Sequence, residues 1–557
     1  MKRLKLGTRR SRLALVQSDI VARRLRVAGV EVELVEILTE GDVRPKDSPI
    51  AEGVFVAALE RALRAELIDI AVHSAKDVPL DLDVNLPLVA FPERADPRDA
   101  LVARRGETSL DDLRAGAWVG TDSPRRTAFV HAVRPDLHVF PLMGNVDERV
   151  ARLDKGEADA LILAAAALDR LGLRDRVSAY LEPELVPPAP AQGALAIQAR
   201  RGDHDVLDVL RLIDNPRVRL EVLAERALLK AFGGGYTAPF GAQAETAAPD
   251  CLNVIAGAAT PGGSTRHVLR ALLAADDLAA GVSLIARELH HEVPIATRAV
   301  LDTRPEADPE LASRLWRQGW RSVHVPTIAV VAARDGGALE RARSELLSYD
   351  WVVLTSKRGV DALFDGLSGA PPTSVRWAAV GPATSRALRA RGIEVEAQPA
   401  IAVGDAIPAA MALRSPLEGA RVLLARADAA DQSLPENLRR AGAQVDDVLA
   451  YHNLTGPNEA REPLRRALLD PELEAVIFAS GSAVQGLCEL AGPALALARH
   501  LKVFTIGPKT SASAARLGFE VRAEAQTTDA SGLSAAAERG IEREVRDWLE
   551  LQTAAFA

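Results

Sequence analysis

Three short stretches in the first half of the chain carry side chains able to work on an anionic substrate. GTRRSRLA supplies Arg9 and Ser11, VHSAKDVP supplies Lys76 and Asp77, and TDSPRRTAF supplies Arg125 and Arg126. Guanidinium forks bind carboxylates through paired hydrogen bonds, so several of them suit a ligand with several carboxylates. An aspartate beside a lysine, just after a buried strand, can move a proton at a reacting centre; the dipeptide alone more often marks a surface ion pair. The second half offers hydroxyls instead: Thr355 and Ser356, Thr384 in GPAT, Ser480 and Ser482 in SGS, and Thr510 in GPKT. Each group ends an apolar run and opens a helical one, where free N–H groups favour anions. One such residue is equally a helix cap; four such loops converging on one cleft favour an anion site. No Walker loop and no Asp/His/Cys cluster accompany them. This half is expected to hold a polyanion by hydrogen bonding and shape.

What must position these residues is an alternation of apolar runs and helical patterns. VELVEIL, DIAVHSA, AWVGTD, HVFPLMG and ALILAAAAL read as strands between helices, the mark of α/β layers with mainly parallel sheets. Pro-rich breaks near 91–100 and 182–194 read as crossings between two lobes. A long helical stretch, NPRVRLEVLAERALLKAF, feeds AFGGGYTAPFG. Glycines allow tight turns and close approach to a ligand, so that loop is built to present its one large side chain, Tyr236. Later blocks recur in the same order: VVLTSKRGVDAL as VIFASGSAVQGL, and AAVGPATSRALRARGIEVEAQ as FTIGPKTSASAARLGFEVRAE. Recurrence of that length points to a duplicated domain and not to a solenoid. The expected fold is α/β throughout. A first half of three domains comprises 1–95 with 193–214, then 96–192, then a small α/β domain at 215–294 bearing the Tyr236 loop. Two duplicated doubly wound parallel-sheet domains follow, 297–331 with 454–545 and 332–453.

A chain of 557 residues exceeds what one core organises. Its net charge of -8 provides no basic field for nucleic acid. Cys251 and Cys488 lie in opposite halves, which excludes a disulfide framework and suits a reducing compartment. His290 and His291 are adjacent rather than helically spaced, and no Cys-x-x-Cys occurs, so no metal is expected. No apolar run approaches the roughly eighteen residues of a membrane span, and the basic start lacks a signal core. A cytoplasmic monomer without nucleic-acid or membrane partners is expected.

Taken together, the motifs of residues 1 to about 293 resemble porphobilinogen deaminase, also called hydroxymethylbilane synthase: GTRRSRLAL, AVHSAKDVP, ERADPRDA, VGTDSPRR, GNVDERV and PAPAQGALAI. Residues from about 297 to 545 resemble uroporphyrinogen-III synthase through TRPEAD, VVLTSKRGV, VGPATSRAL, AYHN and IGPKTSASA. The resemblance implies two periplasmic-binding-protein-like lobes in the first half. It implies that four porphobilinogen units are linked head to tail with release of ammonia, and that the linear product is closed to uroporphyrinogen III with inversion of its last ring. By the same match Asp77, with Lys76, is the catalytic carboxylate. Arg9, Ser11, Ser74, Ser123, Arg125, Arg126, Arg149 and Gln192 hold acetate and propionate groups of these polycarboxylate pyrroles. Tyr451 assists loss of the hydroxyl in the second reaction, with Thr355, Ser356, Thr384, Ser480, Ser482 and Thr510 lining its cleft.

The deaminase family ties a dipyrromethane cofactor to a loop cysteine through a thioether. Here that position is Tyr236, and a phenol, titrating near about 10, is a poorer nucleophile than a thiol at neutral pH. A family lysine is replaced by Glu52 and a family arginine by Met143. Cys251 lies too far along the chain to take over. A dipyrromethane is therefore expected without the thioether, or bound through the Tyr236 oxygen. Two other readings stay open here: a first half that binds linear tetrapyrrole without turnover while the synthase half works, and an anion- or tetrapyrrole-binding module without catalysis.

Overall fold

The computed structural model describes residues 3–39, 56–333, 337–365, 367, 372, 374–401, 403–428 and 431–554, without the side chains of Tyr236 and Ala332. Two five-stranded sheets organise the first part. In one, Val32–Ile37, Leu4–Arg9 and Ile70–Ser74 run parallel, Leu195–Ala199 returns antiparallel to Ile70–Ser74, and Leu88–Ala90 forms the edge. In the other, His138–Phe140, Trp118–Gly120 and Ala160–Ala164 run parallel, Asp99–Ala103 lies antiparallel beside them, and Ala179–Leu181 is the edge. Ala160–Ala164 and Leu195–Ala199 are buried at every position, which is why they read as continuous apolar runs without alternation. The chain passes from one sheet to the other through 91–98 and back through 182–194.

A three-stranded antiparallel sheet follows, Phe240–Ala248, Cys251–Ala259 and Arg266–Ala274, covered by helices Pro216–Phe232 and Leu278–Glu292. This departs from parallel layering because the links between its strands are too short to hold a crossover helix. The Pro216–Phe232 helix begins with Asn215, whose side chain accepts from the N–H groups of Arg217 and Val218, and with proline at its first position. Two charged residues sit on its buried face. The Glu225 carboxylate, wholly buried, accepts from Arg94 at 2.7 and 2.9 Å and from the backbone N–H groups of Ala191 at 2.6 Å and Ala244 at 2.7 Å. One carboxylate thus ties both inter-sheet connections to the third unit. Arg226, also buried, donates to the carbonyls of Val78 at 2.8 Å and Pro79 at 2.7 Å, immediately after Asp77.

The second half holds two more five-stranded sheets. Trp320–His324, Arg298–Asp302, Leu473–Phe478, Lys502–Thr505 and Val521–Glu524 are all parallel. Arg376–Ala379, Trp351–Leu354, Arg421–Ala427 and Gln444–Thr455 are parallel, and Ile328–Ala332 is antiparallel at the edge. The ladder from Ile328–Thr455 to Ala332–Tyr451 runs across both junctions anticipated near 331 and 454. The outgoing and returning strands pair with each other, so Ile328–Val331 and Leu454–Thr455 belong to the second of these sheets. The two halves also share a core. Helix Ala530–Thr553 packs on Pro216–Phe232 and Leu278–Glu292 as well as on the Arg298–Asp302 sheet. One apolar cluster runs from Leu223, Phe232 and Leu289 through Val300, Trp320 and Phe504 to Leu533 and Trp548. Among the described residues no helix is long and apolar enough to cross a membrane.

Arg94→Met would leave the Glu225 carboxylate buried without its cation, a loss that costs about 3–5 kcal/mol. The first unfolding transition in urea should shift down accordingly. Adding Glu225→Leu should not restore it, because the Ala191 and Ala244 N–H groups would then lack an acceptor.

Candidate active site

A cleft of about 520 Å³ lies where the strand ends of the first two sheets meet the third unit. Strand carboxyl ends deliver most of its polar lining, as in open α/β sheets generally. Arg9 ends Leu4–Arg9, and Ser11 caps the next helix by accepting from Ala14 N–H at 3.3 Å. Ser74 ends Ile70–Ser74 and exchanges hydrogen bonds with the Gln17 amide, 2.8 Å from its nitrogen. A tight turn, Ala75–Asp77, then sets Lys76 and Asp77 at the wall. Ser123 caps helix Pro124–Val133, accepting from Arg126 N–H at 3.4 Å.

Two buried acids organise the arginines. Asp99, fully buried, receives Arg125 at 2.8 Å, the Arg126 fork at 2.8 and 3.0 Å, and the Gln192 amide at 2.8 Å. Burial alone would raise the Asp99 pKa, but the guanidinium groups of Arg125 and Arg126 outweigh it and hold the carboxyl well below the usual range. Arg125 and Arg126 line the cleft, yet their exposures are 3% and 5% and their forks are engaged on Asp99. Arg149 makes a bidentate pair with Asp122, at 2.7 and 2.5 Å. Lys76 donates to Gln192 Oε1 at 3.0 Å and Arg170 to the Gly193 carbonyl at 2.6 Å. These acceptors are neutral, so both charges remain available to a ligand. Burial pushes Lys76 down to about 8, with Asp77 opposing and Arg126 adding to the shift. Burial pushes Arg170 down to about 10. Burial raises Asp77, against the pull of Lys76 and Arg9. Among the described residues no donor is hydrogen-bonded to its carboxylate.

The glycine loop forms the far wall. Helix Pro216–Phe232 ends at Gly233, and Gly233, Gly234 and Gly235 have φ of 83°, 79° and 54°, a left-handed path that disfavours other residues. Gly235, Ala238 and Phe240 line the cleft, so the backbone of Tyr236 is at its edge. Met143 lines the same cleft, whereas Glu52 lies outside the described residues. Cys251 is at the opposite end of its sheet: Phe240 pairs with Ala258, seven residues from Cys251, roughly 24 Å at about 3.4 Å per residue.

In the second half, a cavity of about 450 Å³ is lined by Arg304, Glu306, Asp308, Ile328, Lys357, Arg358 and Ser480, among others. Ser480 and Ser356 both cap helices, accepting from Ala483 N–H at 3.2 Å and Gly359 N–H at 3.0 Å. The Tyr451 hydroxyl lies 3.0 Å from Ser356 Oγ, with the ring buried in the second sheet's core. Thr384 and Thr510 are buried in the first turns of Pro382–Arg389 and Pro508–Arg516. Thr355 follows Trp351–Leu354 and Ser482 lies in Gly481–Ala491. Of the hydroxyls singled out in sequence, Ser480 reaches this cavity among the described residues.

Residues 4–208 match the family model described as porphobilinogen deaminase, dipyromethane cofactor binding domain. The chain is 46% identical over 246 residues to the porphobilinogen deaminase of Roseiflexus castenholzii, covering 43% of this chain and 81% of that protein. The chain belongs to the porphobilinogen deaminase family. The deaminase of Corynebacterium efficiens is 43% identical over 271 residues, 48% of this chain and 90% of that one. Residues 309–535 match the model for uroporphyrinogen-III synthase HemD, so a synthase domain follows the deaminase. The crystal structure of a mutant uroporphyrinogen III synthase from Thermus thermophilus overlays on 44% of this chain and 99% of its own at 19% identity, with a TM-score of 0.32.

Sequence spacing did not single out several residues that line these clefts or lie behind them, Asp99, Asp122, Arg170 and Arg304 among them. Asp99 and Asp122 lie in quoted motifs, but the arginines they hold are set by tertiary contact. Arg170 carries no local signal, and Arg304 lies in TRPEAD as one charge among several. In the deaminase cleft the Lys76 ammonium is lost as pH rises through about 8. Porphobilinogen affinity should fall over that range, and Lys76→Arg, which stays charged, should flatten the dependence in calorimetric titrations on either side of it.

Proposed function

We propose that this chain links four porphobilinogen units into hydroxymethylbilane and then closes that product to uroporphyrinogen III, with Asp77 the carboxylate of the first reaction. The observation that carries the reading is the placement of Asp77: a carboxylate at a strand end, beside Lys76, in a cleft walled by Arg9, Arg149 and Arg170. Loss of ammonia breaks an aminomethyl C–N bond and leaves positive charge on the pyrrole, which a nearby carboxylate opposes. Burial makes Asp77 a better proton acceptor than an exposed aspartate, so it can also take the proton a ring carbon sheds when a new bond is made. The cations of the same walls would orient the acetate and propionate groups, with Asp99 fixing Arg125 and Arg126 and Asp122 sharing Arg149.

The residues present do not fit a thioether to the cofactor. A tyrosine stands at the loop position, Cys251 is at the far end of its sheet, and Met143 offers no charge. They do fit a dipyrromethane held by its carboxylates on Lys76 and Arg170, with Arg149 fixed on Asp122 beside them. When bound, that group supplies the free pyrrole carbon from which the chain is extended. In the synthase half, Lys357, Arg358 and Ser480 suit the carboxylates of the linear tetrapyrrole, with Arg304 held on Asp302 and Asp308 beside them. Tyr451, paired with Ser356, is the hydroxyl we assign to loss of the substrate's hydroxyl group.

Asp77→Asn keeps the shape of the side chain and removes its charge. It should abolish porphobilinogen consumption while the same protein still converts supplied hydroxymethylbilane to the type III ring. Unchanged porphobilinogen consumption would refute the role of Asp77, and formation of only the type I ring would refute the second activity. Denaturing mass spectrometry tests the cofactor assignment. The wild-type chain should consume porphobilinogen yet show no added dipyrromethane mass. Tyr236→Cys alone should capture little of it, and together with Glu52→Lys and Met143→Arg should capture it well.

A further inference from the structure

Two loops of the deaminase cleft, the glycine loop at its far wall and the loop that carries Asp77, are held from behind by residues of the synthase half. A helix end leaves its last carbonyls without intrahelical partners. At the end of Pro216–Phe232 those carbonyls are taken up from across the junction. Arg298 Nη2, on the first strand of the synthase half, donates to Lys230 O at 3.0 Å and Ala231 O at 2.9 Å, and Thr297 Oγ1 donates to Phe232 O at 2.7 Å. Arg298 is 3% exposed and its guanidinium lies 5.1 Å from the Trp320 ring centre. The glycine loop starts directly on this contact. A Cβ on Gly233 would overlap the Arg298 guanidinium, and one on Gly234 would meet Thr297 Cβ at 3.3 Å.

A second contact reaches the Asp77 loop. Trp548, on the C-terminal helix Ala530–Thr553, donates from Nε1 to Leu80 O at 3.0 Å. The same ring lies 5.9 Å from the guanidinium of Arg226, which holds the carbonyls of Val78 and Pro79. Glu544 of that helix pairs with Lys230 at 3.0 Å and with Lys502 of the synthase sheet at 2.7 Å, fixing the helix to both sides.

We propose that Arg298 and Trp548 are positioning residues for the deaminase reaction, supplied by the synthase half. The proposal rests on the deaminase reading given above. Arg298 sets the path of the glycine loop, and Trp548 sets the loop that follows Asp77. Arg298 stands at the amino end of its strand, whereas Arg304 and Ser480 line the synthase cleft beyond the carboxyl ends. Its loss should therefore spare the second reaction.

The test uses the full chain. Wild-type consumption of porphobilinogen is measured first and decides the deaminase reading by itself. Arg298→Met should then lower kcat for porphobilinogen roughly tenfold and Trp548→Phe roughly threefold, as small misplacements of catalytic loops do. KM, and conversion of supplied hydroxymethylbilane, should each stay within about twofold. Arg298→Lys, which keeps a donor to the two carbonyls, should recover most of the loss. Unchanged kcat in both folded variants overturns the proposal, and so does parallel loss of both reactions in Trp548→Phe. If Arg298→Met does not fold, Trp548→Phe decides. If the wild type consumes no porphobilinogen, amide hydrogen exchange decides instead: faster exchange at 75–80 and 231–238 in the variants supports the positioning role, and unchanged exchange overturns it.

Discussion

The buried carboxylate of Glu225 is the constraint on which the deaminase half depends. It lies on a helix that touches both inter-sheet connections and the third unit, and it satisfies a guanidinium and two backbone N–H groups at once. Burial raises its pKa, and Arg94 with the two N–H groups opposes that rise. The relative placement of the first two sheets, and so the width of the cleft between them, is set by a point with no solvent to compensate an error. The next residue, Arg226, faces the Asp77 loop. A single turn of helix therefore fixes both the frame and the chemistry it carries.

Charge in the cleft is arranged in two tiers. Asp99 and Asp122 are internal partners that fix Arg125, Arg126 and Arg149 in defined rotamers, removing the rotamer entropy a ligand would otherwise have to freeze. Lys76 and Arg170 donate to neutral oxygens and keep their field for the ligand. A wall divided in this way need not rearrange when a ligand binds.

Much of this was legible in the sequence, for physical reasons. Strands buried on both faces must be continuous apolar runs, so Ala160–Ala164 and Leu195–Ala199 stand out. Helix caps favour a short side chain that accepts a hydrogen bond, and Ser11, Ser123, Ser356 and Ser480 stand at such positions. Asp77 was singled out by its place after an apolar run and by family resemblance, and it does line the cleft. What stayed hidden depends on distant residues. The engagement of Arg125 and Arg126 by Asp99 needs two strands and a helix to meet. The Ile328–Ala332 ladder is set by a partner more than a hundred residues away, and hairpin pairing in Phe240–Ala274 leaves the same apolar composition as parallel pairing would. The core shared by the two halves could not be seen at all, since Trp548 and Arg298 look like ordinary positions on an amphipathic helix and a buried strand.

Helix Ala530–Thr553 packs on Pro216–Phe232 and Leu278–Glu292, both of which are made well over two hundred residues before it. Nascent domains fold from the amino terminus onward. The faces of Pro216–Phe232 and Leu278–Glu292 that this helix covers therefore stay bare in a growing chain until the helix is made. A ribosome that stalls within the synthase half leaves a product with those faces bare, open to chaperones and proteases. Quality control of the second half is in this way imposed on the first.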